Sequence, residues 1–257
     1  MNNPTLPLFG NLTIPQIGFG TYGLGRHATE AIAHALKVGY RHIDTADMYN
    51  SHENIAEAMP ISGLKRTEVF ITTKLMPEFL AANKVGPAVD RFLKELATDY
   101  IDLLLIHWPG RAPLLETLAA MNAARKAGKT RAIGVSNFDA RLMKEALATG
   151  FPVCNDQIEY NLPRQPTGTL EFCQKANVTV TAYSPLEHGS VKATKAAMEI
   201  AKEHNVTREE VLLAWLMAKG MIVIPRSENN SHIETNFHSL ELKLTTDELK
   251  TLDAAKA

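Results

Sequence analysis

The chain has 257 residues, of which 45% are hydrophobic, and its formal net charge at pH 7 is −1. This length and this apolar fraction suit one large folded domain with a substantial core, so we expect a single domain over residues 1–257. The balanced charge gives no electrostatic reason to expect nucleic acid or an anionic membrane as a partner.

Cysteine usage and the N-terminal segment bear on the compartment. The chain contains two cysteines, Cys154 and Cys173, and no C-x-x-C pair, which argues against a disulfide framework. The segment MNNPTLPLFG has neither the charged start nor the apolar stretch of a signal peptide. No uncharged run reaches the roughly 18 residues of a membrane helix. We therefore expect a cytoplasmic protein.

The first predicted element is a small hairpin, in which LPLF and LTIP flank a two-residue turn at Gly10-Asn11. Apolar or β-branched runs then predict eight strands, at 17–20, 40–44, 69–74, 101–107, 131–136, 153–160, 178–184 and 221–225. Amphipathic helical patterns lie between them, such as ATEAIAHALKVG, KVGPAVDRFLKEL, LLETLAAMNAARKAG and ARLMKEALATG. Two further helices are predicted in TREEVLLAWLMAKG, with Thr207 and Glu210 as a capping box, and in TTDELKTLDAAK.

This alternation of strands and helices predicts a parallel sheet built from βαβ units. Eight such units in about 250 residues are typical of an α/β protein with a (β/α)8 TIM barrel. A doubly wound sheet would usually have fewer strands per domain, and no linker divides the chain. We expect the N-terminal hairpin to close the bottom of the barrel.

The stretch IGFGTYGLG at 17–25 matches G-x-G-x-x-G through Gly18, Gly20 and Gly23, the pattern that holds a dinucleotide in Rossmann folds. In that fold the helix begins directly after the glycines, whereas here the helical pattern begins only near Ala28. The glycines are therefore interpreted as part of the first barrel strand and its end, where they allow close approach of other groups.

Polar residues at the ends of the predicted strands point to a site, because the active sites of TIM barrels lie at the C-terminal ends of their strands. Asp44, Lys74 and His107 end the second, third and fourth strands. Tyr49 follows the second strand through the turn TADMY. An ammonium near a phenol lowers the phenol's pKa, and a carboxylate keeps the lysine charged, so together the four residues make a proton-transfer device. Singly, each also fits a structural role, and Asp47 in the same turn is assigned none.

Five segments, in order, resemble motifs of the aldo-keto reductases: DTADMY (44–49), TTK (72–74), LLLIHWP (103–109), IGVSNF (133–138) and IPRS (224–227). The likeness runs from about Leu6 to Asp253 and is greatest to small bacterial members of the 2,5-diketo-D-gluconate reductase and methylglyoxal reductase kind. It implies carbonyl reduction with Tyr49 as the general acid. It also implies that Lys74, paired with Asp44, lowers the pKa of that tyrosine, and that His107 orients the carbonyl.

The resemblance implies a reduced nicotinamide dinucleotide that lies extended across the barrel mouth. The residues implied to bind this cofactor are Gly20, Thr21, Asp44, Ser136, Asn137, Gln157, Tyr183, Ser184, Leu186, Arg226, Ser227 and Asn236. Ser136, Asn137 and Gln157 would hydrogen-bond the carboxamide, and Tyr183 would stack on the ring.

Cofactor preference is implied by Arg226 and Ser227, which stand where the family binds the adenosine 2′-phosphate. Arginine binds phosphate in a bidentate manner, so NADPH is favoured over NADH. His232 and Thr235 depart from the family's usual basic and acidic residues at these positions, and Glu228 disfavours an anion nearby. Use of NADH as a second cofactor therefore stays open.

Tyr22, Met76 and Trp108 are expected to wall the substrate pocket. His52, in the segment NSHE, is either a substrate contact or a solvated loop residue. A short loop after His107 and the end of the chain soon after its last helix predict little lid over the site. We therefore expect the site to accept small or varied carbonyls, such as small aldehydes, methylglyoxal or keto-sugars. The family resemblance implies a monomer.

Two other functions fit a barrel with polar strand ends. One is a cofactor-binding regulatory or redox-sensing barrel with little turnover, although such a protein has no need of the complete Asp-Tyr-Lys-His set. The other is a metal-dependent hydrolase or isomerase that uses Asp44 and His107. The sequence has no His-x-His pair or carboxylate cluster to support this second alternative, so no metal site is predicted.

Overall fold

The computed structural model describes residues 3–187 and 195–255. The strands are β1 Thr5–Phe9, β2 Leu12–Pro15, β3 Phe19–Gly20, β4 His42–Asp44, β5 Phe70–Leu75, β6 Ile101–Ile106, β7 Thr130–Ser136, β8 Val153–Glu159, β9 Thr179–Tyr183 and β10 Ile222–Val223. The helices are α1 Ala28–Val38, α2 His52–Ser62, α3 Ala82–Glu95, α4 Leu114–Lys126, α5 Ala140–Ala148, α6 Thr167–Lys175, α7 Lys195–His204, α8 Arg208–Ala218, α9 Asn230–His238 and α10 Thr246–Ala254.

The eight strands β3–β10 form one parallel sheet in which each strand pairs with its neighbours in sequence. A bridge between Ile17 and Val223 joins the two ends of the sheet, and the N–H of Gly18 donates to the Val223 carbonyl at 2.8 Å. At least one helix follows each strand. The predicted (β/α)8 TIM barrel is therefore confirmed.

The N-terminal hairpin covers one end of the barrel. Leu8 and Ile14 from β1 and β2 pack into one apolar cluster with inward-facing residues of the barrel strands, including Phe70, Leu103 and Ile222. A second, larger cluster lies between the strands and the surrounding helices. The polar strand ends described below lie at the opposite end of the barrel, so the hairpin closes the bottom, as predicted.

The glycines of the G-x-G-x-x-G stretch allow close approach of neighbouring groups. A Cβ on Gly18 would lie 2.4 Å from Nδ1 of His42, and a Cβ on Gly20 would lie 2.8 Å from the Ile224 carbonyl oxygen. Both glycines belong to the region that closes the barrel, and α1 begins only at Ala28. The stretch is thus a barrel strand and the loop after it, not a Rossmann turn.

Strand ends and helix ends differ from prediction by a few residues. The predicted strands 17–20 and 221–225 are shorter in the structure, where they are β3 and β10. Ile17 and Gly18 pair with Val223 where the first and last strands meet, through an isolated bridge and a backbone hydrogen bond. The capping box of Thr207 and Glu210 is present at the start of α8. Residue 256, in the last predicted helix, lies outside the described residues. Every helix in the described ranges is too short or too polar to span a bilayer.

Candidate active site

A cavity of about 570 Å³ opens where the barrel strands end. Most of the residues predicted for the site line this cavity: Gly20, Thr21, Tyr22, Asp44, Tyr49, His107, Trp108, Ser136, Asn137, Gln157, Tyr183, Ser184, Leu186, Arg226 and Ser227. They come from seven different strand ends or from the loops directly after them. The parallel sheet thus gathers side chains that are up to about two hundred residues apart in sequence.

An ion pair lies directly beneath this cavity: Asp44 lines it, whereas Lys74 is fully buried and does not. The Nζ of Lys74, on the fully buried strand β5, donates to Oδ1 of Asp44 at 2.6 Å and to the Thr45 carbonyl at 2.9 Å. Gln157 donates to the other carboxylate oxygen of Asp44 at 2.7 Å. Lys74 has 0% exposure, and the carboxylate and carbonyl that surround its Nζ satisfy its charge where water cannot.

Tyr49 completes this arrangement. Its hydroxyl lies 3.5 Å from the Lys74 Nζ, the outer limit of a hydrogen bond. The structure therefore brings together the Asp44, Tyr49 and Lys74 side chains, although the sequence separates them by up to thirty residues. Strand pairing explains this, because β4 and β5 are adjacent parallel strands in which Asp44 pairs with Thr72, two residues before Lys74.

The three titrating groups alter one another's pKa. Burial disfavours the Lys74 ammonium, but Asp44 and Tyr49 outweigh burial and raise the pKa of Lys74. Burial raises the pKa of Tyr49, and the Lys74 ammonium opposes that rise without reversing it. Burial likewise raises the pKa of the Asp44 carboxyl, against the effect of Lys74. The lysine therefore lowers the pKa of the phenol, as expected, but burial sets the net direction.

His107 lies against the Tyr49 ring, with ring centroids 5.6 Å apart. Burial and the nearby Lys74 charge lower the pKa of His107 to about 3, so the imidazole is neutral at physiological pH. Trp108 stacks on it with centroids 3.8 Å apart and an interplanar angle of 7°. A neutral imidazole held in one plane can donate a hydrogen bond to an oxygen in the cavity but is a poor acid.

The side chains predicted to bind the nicotinamide form hydrogen bonds with one another and with nearby backbone carbonyls. Asn137 has a left-handed φ of 63° and donates through Nδ2 to the His107 carbonyl at 2.9 Å. The Tyr183 hydroxyl donates to Oδ1 of Asn137 at 2.8 Å, and Ser136 donates to the Gln157 carbonyl at 2.7 Å. The β7 and β8 ends are thus joined at the cavity wall, next to the His107 backbone.

Arg226, Ser227 and His232 line the cavity from the segment after the last barrel strand. A cation and a hydroxyl side by side can bind a phosphate. Glu228 accepts a hydrogen bond from the Gly25 N–H, so its carboxylate is held by the loop after β3. Asn236, predicted to contact the cofactor, is buried in α9 and is not among the residues that line the cavity, so its cofactor contact stays a prediction.

Two further expectations differ from the structure. Met76 is half-buried and does not line the cavity, because the chain enters a short 3₁₀ turn at Pro77 directly after it. His52 is neither solvated nor in the cavity: it is buried as the first residue of α2, with its two ring nitrogens near Glu95 and Thr73.

Met48 is a cavity residue that sequence reasoning missed, although its place next to Tyr49 could have indicated it. Pro185, Ile224, Pro225 and His232 complete the described lining. In residues 3–187 and 195–255, no group of three His, Cys, Asp or Glu side chains is arranged to hold a metal ion.

Comparisons with known proteins agree with this geometry. The sequence model of a family described as "Aldo/keto reductase family" matches residues 16–257. Methylglyoxal reductase DkgB of Salmonella typhi is 34% identical over 249 residues, which cover 95% of this chain and 93% of that protein.

Solved structures give the same result. A Bombyx mori aldo-keto reductase in complex with NADP superposes with a TM-score of 0.92 at 30% identity, over 100% of this chain and 94% of that one. A putative 2,5-diketo-D-gluconic acid reductase B gives a TM-score of 0.92 at 33% identity, over 95% of this chain and 88% of the other.

Proposed function

The chain belongs to the aldo/keto reductase family, and we propose that it reduces small aldehydes, dicarbonyls or keto-sugars to alcohols with Tyr49 as the general acid. It is an NAD(P)H-dependent oxidoreductase, and NADPH is its cofactor. The observation that carries the proposed mechanism is that Tyr49 lines the cavity and its hydroxyl lies 3.5 Å from the buried Lys74 ammonium.

The cavity has the groups that such a cofactor needs. The Asn137 and Gln157 amides line it from the end of β7 and from β8, and Arg226 and Ser227 line it from the segment after β10. The backbone at Gly20 lies so near the Ile224 carbonyl that any side chain there would collide with it. The cavity is therefore bordered by backbone at this point. The amides suit a carboxamide, and the arginine with its neighbouring hydroxyl suits a phosphate.

The reduced nicotinamide, when bound, supplies the hydride that reaches the carbonyl carbon. Tyr49 gives its proton to the carbonyl oxygen as negative charge develops there, and Lys74 stabilises the phenolate that remains. Asp44 keeps that lysine charged and oriented through the 2.6 Å contact. The neutral His107 donates a hydrogen bond to the same oxygen, which places the carbonyl for both transfers.

The substrate class follows from the wall beside Tyr49. Tyr22, Met48 and Trp108 are 51%, 41% and 37% exposed, so this wall is open and largely apolar. An open wall makes few contacts with the rest of a substrate and discriminates weakly. The similarity to a protein named methylglyoxal reductase supports small dicarbonyls among the substrates.

We propose further that residues 1–257 act as one domain, as a monomer in the cytoplasm. The closed barrel supports one domain, because its first and last strands pair with each other. The cysteines Cys154 and Cys173 are both free and buried, which is compatible with a reducing compartment.

A substrate panel tests the proposed function. We expect NADPH oxidation, followed at 340 nm, with small aldehydes, methylglyoxal and a keto-sugar, and slower oxidation of NADH with the same carbonyls. Activity should be unchanged in EDTA, because the proposed chemistry uses a phenol and an ammonium. NADPH binding seen by fluorescence, without turnover on any carbonyl of the panel, would instead favour the regulatory barrel.

Arg226→Ala tests the proposed phosphate contact. Loss of a charged hydrogen bond of about 1.5–3 kcal/mol should raise the KM for NADPH roughly tenfold to a hundredfold, with kcat nearly unchanged. The KM for NADH should hardly change. Lys129→Ala, which removes a surface cation at the opposite end of the barrel, is the control. An equal rise in KM for both cofactors would contradict 2′-phosphate binding.

A further inference from the structure

The segment that carries Tyr49 is short and irregular. Between β4 and α2, residues 47–49 form a single 3₁₀ turn, and Asn50 ends it with a left-handed φ of 52°. The N–H of Tyr49 donates to the Ala46 carbonyl at 3.0 Å. One hydrogen-bonded turn is a weak support for a side chain whose hydroxyl has to stay within reach of Lys74.

Hydroxyl groups fix the inner side of this segment. The Ser51 Oγ lies 2.7 Å from Thr45 Oγ1 and 2.9 Å from Thr21 Oγ1. All three side chains are buried. These contacts attach the segment to the ends of β3 and β4, but they lie on only one side of it.

Arg91 of α3 holds the outer side. Its two terminal nitrogens donate to the two carboxylate oxygens of Asp47 at 2.8 and 2.9 Å, a bidentate ion pair. The same guanidinium donates to Glu95, one turn further along α3, at 3.0 Å. Asp47 starts the 3₁₀ turn, so this ion pair attaches the Tyr49 turn directly to a long helix.

The contacts continue from Glu95 to the residue beside Lys74. The second carboxylate oxygen of Glu95 lies 2.7 Å from Nδ1 of His52, and Nε2 of His52 lies 2.8 Å from Thr73 Oγ1. A continuous series of polar contacts therefore runs from Asp47, two residues before Tyr49, to Thr73, the residue before Lys74.

We propose that Arg91, Glu95 and His52 are positioning residues, which fix the Tyr49 turn relative to Lys74. This inference rests on the proposed function. A single exposed ion pair would contribute little, but this one is bidentate, its Asp47 side chain is only 12% exposed, and it belongs to a network. Without it, the Tyr49 hydroxyl would move easily beyond the 3.5 Å that separates it from the Lys74 Nζ.

The charges along the series are mutually stabilising. The two hydrogen bonds to Asp47 and the one to Glu95 raise the pKa of Arg91. Burial would raise the pKa of Glu95, but His52 and Arg91 together lower it overall. Both side chains therefore remain charged at physiological pH.

Arg91→Met tests the proposal in the full chain. The side chain is 41% exposed, so the variant should fold, while the contact to Asp47 is lost. We expect kcat for methylglyoxal with NADPH to fall about tenfold, because the acid is misplaced, and both KM values to stay within about twofold. Arg131→Met is the matched control, since it removes an ion pair with Asp102 at the other end of the barrel.

A double-mutant cycle and hydrogen exchange complete the test. Asp47→Asn/Arg91→Met should have the kcat of the worse single variant, since both remove one contact. Amide exchange in residues 45–52 should rise in Arg91→Met but not in Arg131→Met, whether or not the carbonyl is a substrate.

The outcomes separate the two proposals. An active wild type with an unchanged kcat in Arg91→Met would overturn the positioning role and leave the reductase function standing. Unchanged exchange in residues 45–52 would also overturn it, even if no carbonyl were turned over. Equal losses of kcat in Arg91→Met and Arg131→Met would show general loosening of the barrel and would count against positioning.

Discussion

Tyr49→Phe is expected to lower kcat for carbonyl reduction by about a thousandfold, while NADPH binding is retained. The phenol is the proposed proton donor, and its two neighbours cannot replace it. His107 is neutral, with a pKa lowered to about 3 by burial and by Lys74, and Lys74 is held by the Asp44 carboxylate. The measurement is single-turnover NADPH oxidation with methylglyoxal in excess.

The control for this variant is Tyr160→Phe. Tyr160 is also buried, its hydroxyl has no hydrogen-bond partner among the described residues, and it does not line the cavity. Loss of that hydroxyl should leave kcat within about twofold of the wild type. The Kd of NADPH, measured by fluorescence, should match the wild type in both variants. If Tyr49→Phe kept a tenth or more of the wild-type kcat, another group would have to be the acid.

The sequence was sufficient to predict that the proposed catalytic residues lie close together, because three of them end or directly follow a strand and Tyr49 follows in the turn after β4. Asp44, Lys74 and His107 stand after runs of apolar or β-branched residues, and parallel strands place their C-terminal ends together. No distance between them had to be known. Arg226 and Ser227, which the family resemblance indicated, follow the last strand and line the same cavity.

The positioning contacts could not be predicted in this way. Asp47 and His52 owe their surroundings to α3, whose residues Arg91 and Glu95 are about forty positions away. Only the packing of α2 and α3 on the barrel determines which side chains meet there. Local pattern therefore suggested no role for Asp47 and placed His52 either at the substrate or in solvent.

Met76 shows a second limit of local pattern. It stands directly after the end of β5, so the rule for strand ends placed it in the pocket. Side-chain direction alternates along a strand, so Met76 would share the face of Lys74 if β5 continued, but the strand ends at Leu75 and the chain turns at Pro77. The side chain consequently lies outside the cavity, while Met48, on the 3₁₀ turn with Tyr49, lines it.

Lys74→Met is expected both to inactivate the protein and to destabilise it. Without the ammonium, the phenolate left on Tyr49 has no stabilising charge, so kcat should fall by roughly a hundredfold or more. Asp44 is buried and would lose its ion-pair partner, which costs about 3–5 kcal/mol of unfolding free energy at pH 7. Turnover with NADPH and urea unfolding measure the two effects.

The double variant Asp44→Asn/Lys74→Met separates the two effects. An asparagine leaves no unpaired charge, so most of the lost unfolding free energy should return, whereas kcat should stay as low as in Lys74→Met. Stability should also respond to pH in the single variant. Loss of Lys74 raises the Asp44 pKa further, so the deficit should shrink as pH falls and the buried carboxyl takes up a proton. If the double variant recovered both kcat and stability, Lys74 would act only on the fold. If it recovered stability alone, Lys74 would also be needed for proton donation by Tyr49.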